Sequence, residues 1–265
     1  MKILVPVKRV PDTDQKIEVR ADGSGVDTSQ LPFIINPFDA IALEEAVRIR
    51  EGGVDAEILA VGVGDAKYEE QLRSALAMGA DRALRIDSDQ PLDPWNTACV
   101  LRAIVDQESP DLVLMGKQAV DGDCNQTGQF LAAMLGWPQA TFASAIKLSG
   151  DWSGERSDES SDESSDRGLR VDRETDSGIE TVELPCPAVI SVDLRLNEPR
   201  YASLPSIMKA RKKEIVEISM SSLGIENTPR VRTVSVRSDK SARKRIMVDS
   251  NGELVTCLRE ALKTE

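Results

Sequence analysis

The stretch Gly116-Lys117-Gln118-Ala119-Val120-Asp121-Gly122-Asp123-Cys124-Asn125-Gln126-Thr127-Gly128 holds the densest chemistry in the chain. Its glycines permit close backbone approach, Asn125 and Thr127 offer short polar side chains, and the amides opening the helix expected to follow attract an anion. It reads as a phosphate cradle. An ordinary helix cap, with Asp123 on the first turn, accounts for the same residues equally well. Asp121 and Asp123 would repel a phosphate if aimed at it, so both are expected on backbone amides or hydroxyls.

Gly62-Val63-Gly64 makes a second strand-to-helix turn, but Lys67 stands where a dinucleotide fingerprint needs glycine, so alone it says little. Lys8 and Arg9 follow the first strand and either lend positive charge to the same crevice or form a solvated pair. Lys209, Arg211, Lys212 and Lys213 follow the apolar set Leu204, Ile207 and Met208. As a protruding anchor beside a basic cluster, these residues would dock an acidic protein partner. As the inner face of a helix they would be plain core.

Other chemistry is excluded by composition. The chain has no histidine, which removes Ser-His-Asp and Cys-His nucleophiles, His-metal sites and imidazole proton shuttles. Cys99, Cys124, Cys186 and Cys257 stand far apart without a C-x-x-C spacing, so neither a zinc knuckle nor an iron–sulfur cluster has a basis, and they read as reduced thiols. The aromatics are few (Trp 3, Tyr 2, Phe 4), leaving few platforms for stacking nucleic-acid bases.

The elements that must position these residues follow from hydrophobic period. Strand patterns fall at Lys2–Lys8, Ala56–Val61, Ala83–Ile86, Asp111–Met115 and Gln139–Ile146, with helices at Pro37–Arg50, Ala66–Met78, Pro94–Gln107 and Asn125–Leu135. That alternation predicts an α/β fold: a parallel, doubly wound sheet with right-handed crossovers. Asn36 is placed to cap the first helix, Pro37 suits its first turn and Gly52-Gly53 stops it. Residues 16–25 look like a small hairpin. Ligands of such sheets bind beyond the carboxyl ends of the strands where strand order reverses, which selects Lys8–Thr13, Gly62–Asp65 and Gly116–Cys124.

Further along, strands are expected at Phe142–Leu148, Leu169–Arg173, Ile179–Leu184, Ala188–Asp193, Glu214–Ile218 and Arg232–Val236, with helices at Leu204–Arg211 and Glu253–Lys263. Residues 153–168 repeat a Ser-Asp-Glu-Ser unit without an apolar residue and are expected to be a disordered acidic insert. The predicted division is an α/β domain over 1–194 and a recognition loop with a C-terminal partner-binding arm over 195–265.

Length supports this plan. At 265 residues with 40% apolar and 29% charged side chains, the chain can bury a core of one α/β domain plus an appendage. Net charge is −12, which disfavours nucleic acid and anionic membrane as partners of the whole. The charge is uneven: Arg195 to Arg245 carries about thirteen basic residues against about five acids. The apolar run Ile3–Val7 is too short for a signal segment and no stretch is long enough to insert in a bilayer, so the expected location is cytoplasmic.

Several long motifs support a family resemblance. Lys8-Arg9-Val10-Pro11-Asp12-Thr13, Ile35-Asn36-Pro37-Phe38-Asp39, Ala42-Leu43-Glu44-Glu45-Ala46, Ala75-Leu76-Ala77-Met78-Gly79-Ala80-Asp81-Arg82, the Gly116–Gly128 run and Asp193-Leu194-Arg195-Leu196-Asn197-Glu198-Pro199-Arg200-Tyr201 resemble the beta subunit of electron-transferring flavoprotein, from residue 1 to about Ile218. The acidic insert is foreign to that family's pattern. The resemblance implies a Rossmann-like fold of the adenine-nucleotide-binding type, paired with an alpha subunit that holds most of the FAD. It implies an electron carrier, not an enzyme, that accepts electrons from dehydrogenases, notably the acyl-CoA dehydrogenases of fatty acid β-oxidation, and passes them to a membrane quinone oxidoreductase.

The same resemblance implies a buried structural AMP, with its pocket at Pro6, Asn36, Pro37, Phe38, Asp39, Val63 and Gly116 to Thr127. These are the loops that the switch-point rule selects. The loop Leu194–Lys213 is similar to the family's dehydrogenase-recognition loop, with Leu204 as anchor and Lys209 and Lys212 beside it. Many relatives carry an aromatic near the flavin where this chain has Thr13, while Phe38 matches the other aromatic there. A bifurcating relative, binding a second FAD in place of AMP and taking hydride from NADH, is the alternative: Val10-Pro11-Asp12-Thr13 leans that way, whereas Asp123 to Gly128 looks like the AMP-binding kind. An adenylate-forming or ATP-hydrolysing enzyme on a similar sheet would need a Gly-Lys-Ser/Thr loop, which is missing.

Overall fold

In the computed structural model of the chain, which describes residues 1–150, 152, 167–238 and 247–261, the first apolar run becomes the central strand of a sheet. β1 (Lys2–Pro6) pairs in parallel with β4 (Glu57–Gly64) on one side and β6 (Leu112–Gly116) on the other. Its middle residues, Ile3, Leu4 and Val5, are buried, so both faces are covered. Ile3 and Val5 join one core cluster and Leu4 the opposite one, as the two-residue strand period requires.

β5 (Arg82–Asp87), β7 (Gln139–Ser149), β10 (Ala188–Val192) and β11 (Ile215–Ser219) extend the parallel part, and β8 (Gly168–Thr175) and β9 (Gly178–Pro185) add an antiparallel edge. The order is β11-β5-β4-β1-β6-β10-β7-β8-β9. α1 (Pro37–Glu51) and α2 (Glu69–Met78) cover one face; α3 (Pro94–Glu108) and α4 (Thr127–Leu135) cover the other. The winding reverses between β1 and β6, so a crevice must open at their carboxyl ends. Beside it, β2 (Arg9–Pro11) and β3 (Phe33–Ile35) form a separate antiparallel pair.

Several local expectations give way to tertiary context. The two strand patterns around Phe142 are a single strand, β7, interrupted by a bulge where Phe142 takes φ +60. The helix expected from Ala66 opens as a 3-10 turn over Ala66–Tyr68, with the Asp65 carboxylate accepting from the Lys67 amide, before α2 begins. Arg232–Val236 forms no strand. Val231 and Val234 are exposed, and the Val236 amide donates to Gly23 O instead of to a ladder.

The acidic insert at 153–166 lies outside the described residues; its last expected residue, Gly168, is already in β8. Of its flanks, Trp152 is buried and Arg167 lies 5.2 Å from the Trp152 ring.

The chain divides into two units. One comprises Met1–Ile17 and Thr28–Arg232 and contains the whole sheet; the other comprises Glu18–Asp27 and Thr233–Glu265. In the second, Val19 and Val26 bridge as a small hairpin, and α6 (Asn251–Ala261) leaves Leu254, Val255 and Leu258 exposed. Residues 262–263 of the expected last helix lie outside the described residues. In the first unit, α5 (Leu204–Ala210) is capped by the Ser203 hydroxyl and leads into β11. No helix among the described residues is long and apolar enough to cross a membrane.

Candidate functional site

A cleft of about 510 Å³ opens where β1, β4 and β6 end, within the roughly 300–1,000 Å³ usual for small-molecule sites. Pro6, Asn36, Asp39, Val63, Gly116, Lys117, Gln118, Ala119, Asp121, Gly122, Asp123, Cys124, Asn125, Gln126 and Thr127 all line it. Pro37, Phe38 and Val120 do not. Pro37 starts α1, Phe38 is buried behind Gly116, and Val120 gives its backbone to the loop's anchor.

That anchor is Asn36. It occupies the capping position of α1, yet its side chain makes no cap bond. Its Nδ2 donates to Gln118 O at 2.9 Å and its Oδ1 accepts from the Val120 amide at 3.2 Å. An amide side chain matches a carbonyl and an N–H in one loop, and this pair outcompetes the local cap. Asp39, one turn on, ties the end of β1 to the end of β6: its carboxylate accepts from the Lys8 amide at 2.8 Å and the Gly116 amide at 3.1 Å. Burial pushes its pKa up to about 7 despite those bonds. A β-carbon at Gly116 would collide with the Asp39 carboxylate and Phe38 Cβ, which accounts for that glycine.

The acids of the loop do not face backbone amides as expected. Asp121 pairs with Lys8 at 2.7 Å, and Asp123, at φ +53, takes the Gln118 side-chain amide. Asp123 therefore does not cap α4. The helix starts at Thr127, two residues later than expected, with Gln126 in the capping position making no side-chain cap bond. An uncapped helix start at a cleft attracts anions. Lys117 lies deeper, paired with Asp193 at 2.7 Å and set 4.7 Å and 5.3 Å from the ring centres of Phe142 and Phe38. Arg9 stacks 3.5 Å above the Phe33 ring.

Part of the lining lies beyond the selected loops. Tyr68 fills the space left by Gly62 and Gly64, where a β-carbon would meet its ring, and burial pushes its phenol up to about 12. These glycines therefore make room for a ring. Ser88, Asp89, Gln90, Pro91 and Leu92, which follow β5, also line the cleft, with Leu101 and Met115 as apolar walls. The signal for this loop was present: it too follows the carboxyl end of a strand, and Asp93 caps α3 through the Asn96 amide at 2.8 Å.

The predicted docking residues Leu204 and Lys209 lie on α5, and Lys212 in the turn just after it. Leu204 is 79% exposed and Met208 57%, whereas Ile207 packs against the core; Lys209 and Lys212 are exposed. Tyr201, just before the helix, is 99% exposed.

An open sheet wound on both faces, with a ligand-sized cleft at its switch point, defines a Rossmann-like α/β binding protein. Known sequences narrow the class. Residues 24–223 match the electron transfer flavoprotein domain. The electron transfer flavoprotein subunit beta of Bradyrhizobium diazoefficiens is 44% identical over 259 residues, 98% of each chain. The human subunit beta is 44% identical over 264 residues, 98% of this chain and 97% of that one. The Arabidopsis thaliana protein, named as mitochondrial, is 44% identical over 259 residues, again 98% of each. The chain belongs to the electron transfer flavoprotein family, among its beta subunits. By the family's name, these are flavoproteins that carry electrons.

Proposed function

We propose that this chain joins an alpha subunit in a heterodimer that accepts electrons from dehydrogenases, acyl-CoA dehydrogenases among them, and delivers them to a quinone oxidoreductase. FAD shared with the alpha subunit supplies the redox chemistry. This chain's part is binding and docking, and the cleft holds a structural AMP.

The observation that carries the reading is the cleft's construction. Asn36 and Asp39 draw the end of β1 and the end of β6 with its following loop together, Gln126 at the start of α4 makes no side-chain cap bond, and a β-carbon at Gly116 would crowd the cleft wall. These residues fit a nucleotide. Gln126, Thr127 and the first amides of α4 would hold phosphate, and Val61, Val63, Leu101 and Met115 offer apolar surface to a base. Lys8 and Lys117 are each neutralised by an aspartate, which suits a site for one phosphate better than one for a triphosphate.

Leu204, with Lys209 and Lys212 beside it, forms the surface offered to dehydrogenases, an apolar knob in a basic setting. The segment from Thr233 onward, with the exposed apolar residues of α6, is the arm that holds the alpha subunit.

Val10-Pro11-Asp12-Thr13 favours a second reading, a bifurcating protein with another FAD in the cleft and NADH as donor. Co-expression with the alpha subunit and mass spectrometry of the released nucleotides separates the two. One FAD and one AMP per heterodimer is the expected result; two FAD overturns it.

A further inference from the structure

The segment that presents Leu204 is held at both ends by polar contacts, most of them partly buried. At its start, Arg200 forks onto Glu44 of α1, with Nε to Oε2 at 2.8 Å and Nη2 to Oε1 at 3.0 Å, while its own amide donates to Oε2 at 3.1 Å. The outer side of the same guanidinium reaches Glu51 at 2.6 and 2.8 Å. Asn197 adds bonds to Ile41 O at 3.1 Å and to the Glu45 carboxylate at 2.9 Å. At its end, Arg73 of α2 donates to Ala210 O at 2.9 Å and to Lys213 O, and Lys213 Nζ donates to Ala80 O at 2.9 Å.

Glu44 is 3% exposed, an unusual place for a carboxylate. Burial pushes its pKa up, yet Arg200, with help from Arg48, holds it below the ordinary value. A buried carboxylate satisfied this fully fixes one geometry. Between the two anchors, Tyr201, Leu204 and Met208 project into solvent while Ile207 and Ala210 face inward.

We infer that Arg200 is a positioning residue for partner recognition: clamped on Glu44 and Glu51, it pre-orders residues 201–209 so that Leu204 enters an apolar socket on an electron-donating protein without an ordering cost. This rests on the reading of Leu204 as the docking anchor. Pre-ordering lowers the entropy lost on association and leaves the docked complex itself unchanged. The clamp should therefore set KM for the flavoprotein and leave kcat alone.

The test uses the intact heterodimer with an acyl-CoA dehydrogenase reduced by its acyl-CoA substrate, and compares the parent with Arg200→Gln, Leu204→Ala and the double variant. Arg200→Gln is expected to raise KM roughly five- to tenfold, the ordering cost of one or two long side chains, at unchanged kcat and flavin content. In the double variant KM should equal that of Leu204→Ala alone, because a misplaced anchor that is already missing costs nothing more.

Unchanged KM in Arg200→Gln, or effects that multiply in the double variant, would overturn the clamp's role while leaving Leu204 as anchor. Unchanged KM in Leu204→Ala would overturn the docking reading itself. Should Arg200→Gln fail to assemble, Arg200→Lys keeps the charge without the fork and is expected to raise KM in the same way; parental KM in that variant overturns the inference.

Discussion

Asp39→Asn separates what one buried carboxylate gives the cleft from what it costs the fold. Asp39 is 6% exposed and accepts from the Lys8 and Gly116 amides at 2.8 and 3.1 Å. Burial lifts its pKa from 3.8 to about 7. The folded protein thus binds this proton more tightly than the unfolded chain does. Stability from this group falls as pH rises from 3.8 toward 7, and the whole penalty stands above that.

About three pKa units correspond to roughly 4 kcal/mol, of which roughly 2–3 kcal/mol develops between pH 5 and 8. Asparagine carries no charge and has no such slope. It keeps one acceptor oxygen for two amides, so one of the strand ends loses its partner at a cost of about 1–3 kcal/mol. Melting of parent and variant in excess AMP, where occupancy does not differ, should show the variant gaining about 5–10 °C on the parent between pH 5 and 8. Without added nucleotide, the variant should lose AMP on gel filtration. Parallel pH profiles would refute the buried ionised carboxylate, and undiminished AMP would refute its role in drawing the strand ends together.

Gly116→Ala puts a methyl group against the Asp39 carboxylate and Phe38 Cβ; urea denaturation should show a loss of about 1–3 kcal/mol, and the purified protein should lack the nucleotide proposed for the cleft. Asp121→Asn removes the partner of Lys8, a pair whose side chains are 44% and 31% exposed. The heterodimer should melt slightly lower, by less than about 1 kcal/mol, with an unaltered flavin spectrum, and the difference should shrink in high salt. A melting curve identical to the parent's at low salt would remove Asp121 from the loop's support.

The centre of the sheet was legible because β1, β4, β6 and β10 are near-continuous apolar runs buried in the core, and the helices between the first strands have recognisable starts and stops. Given that order, the location of the cleft follows from topology, and three of its loops were readable before any side chain was placed. What failed were inferences confined to a few neighbouring residues. Asn36 and Asp123 are both capping types by local rule, and both spend their side chains on the loop at 118–123. Tyr68 was hidden because Gly62 and Gly64 suggest a phosphate turn, whereas the space they leave belongs to an aromatic ring six and four residues further along. The alternation in Arg232–Val236 needs an available strand edge to become a strand, and no local pattern reports whether one exists.

The helix that links these observations is α1. Its capping residue and first turn, Asn36 and Asp39, hold the cleft loops; its later residues Glu44, Glu45 and Glu51 hold the segment that carries Leu204. Asp39 and Glu44 stand five residues apart, about 7.5 Å along the axis, and the two sets hold different segments, Lys8 with residues 116–120 on one side and Asn197 with Arg200 on the other. Changes confined to one end should then separate cleanly: Asp39→Asn should release nucleotide at parental KM for the dehydrogenase, and Arg200→Gln should raise KM with nucleotide retained. If either variant moved both readouts, α1 would be relaying strain between its ends and the cleft and the docking surface would form one linked system.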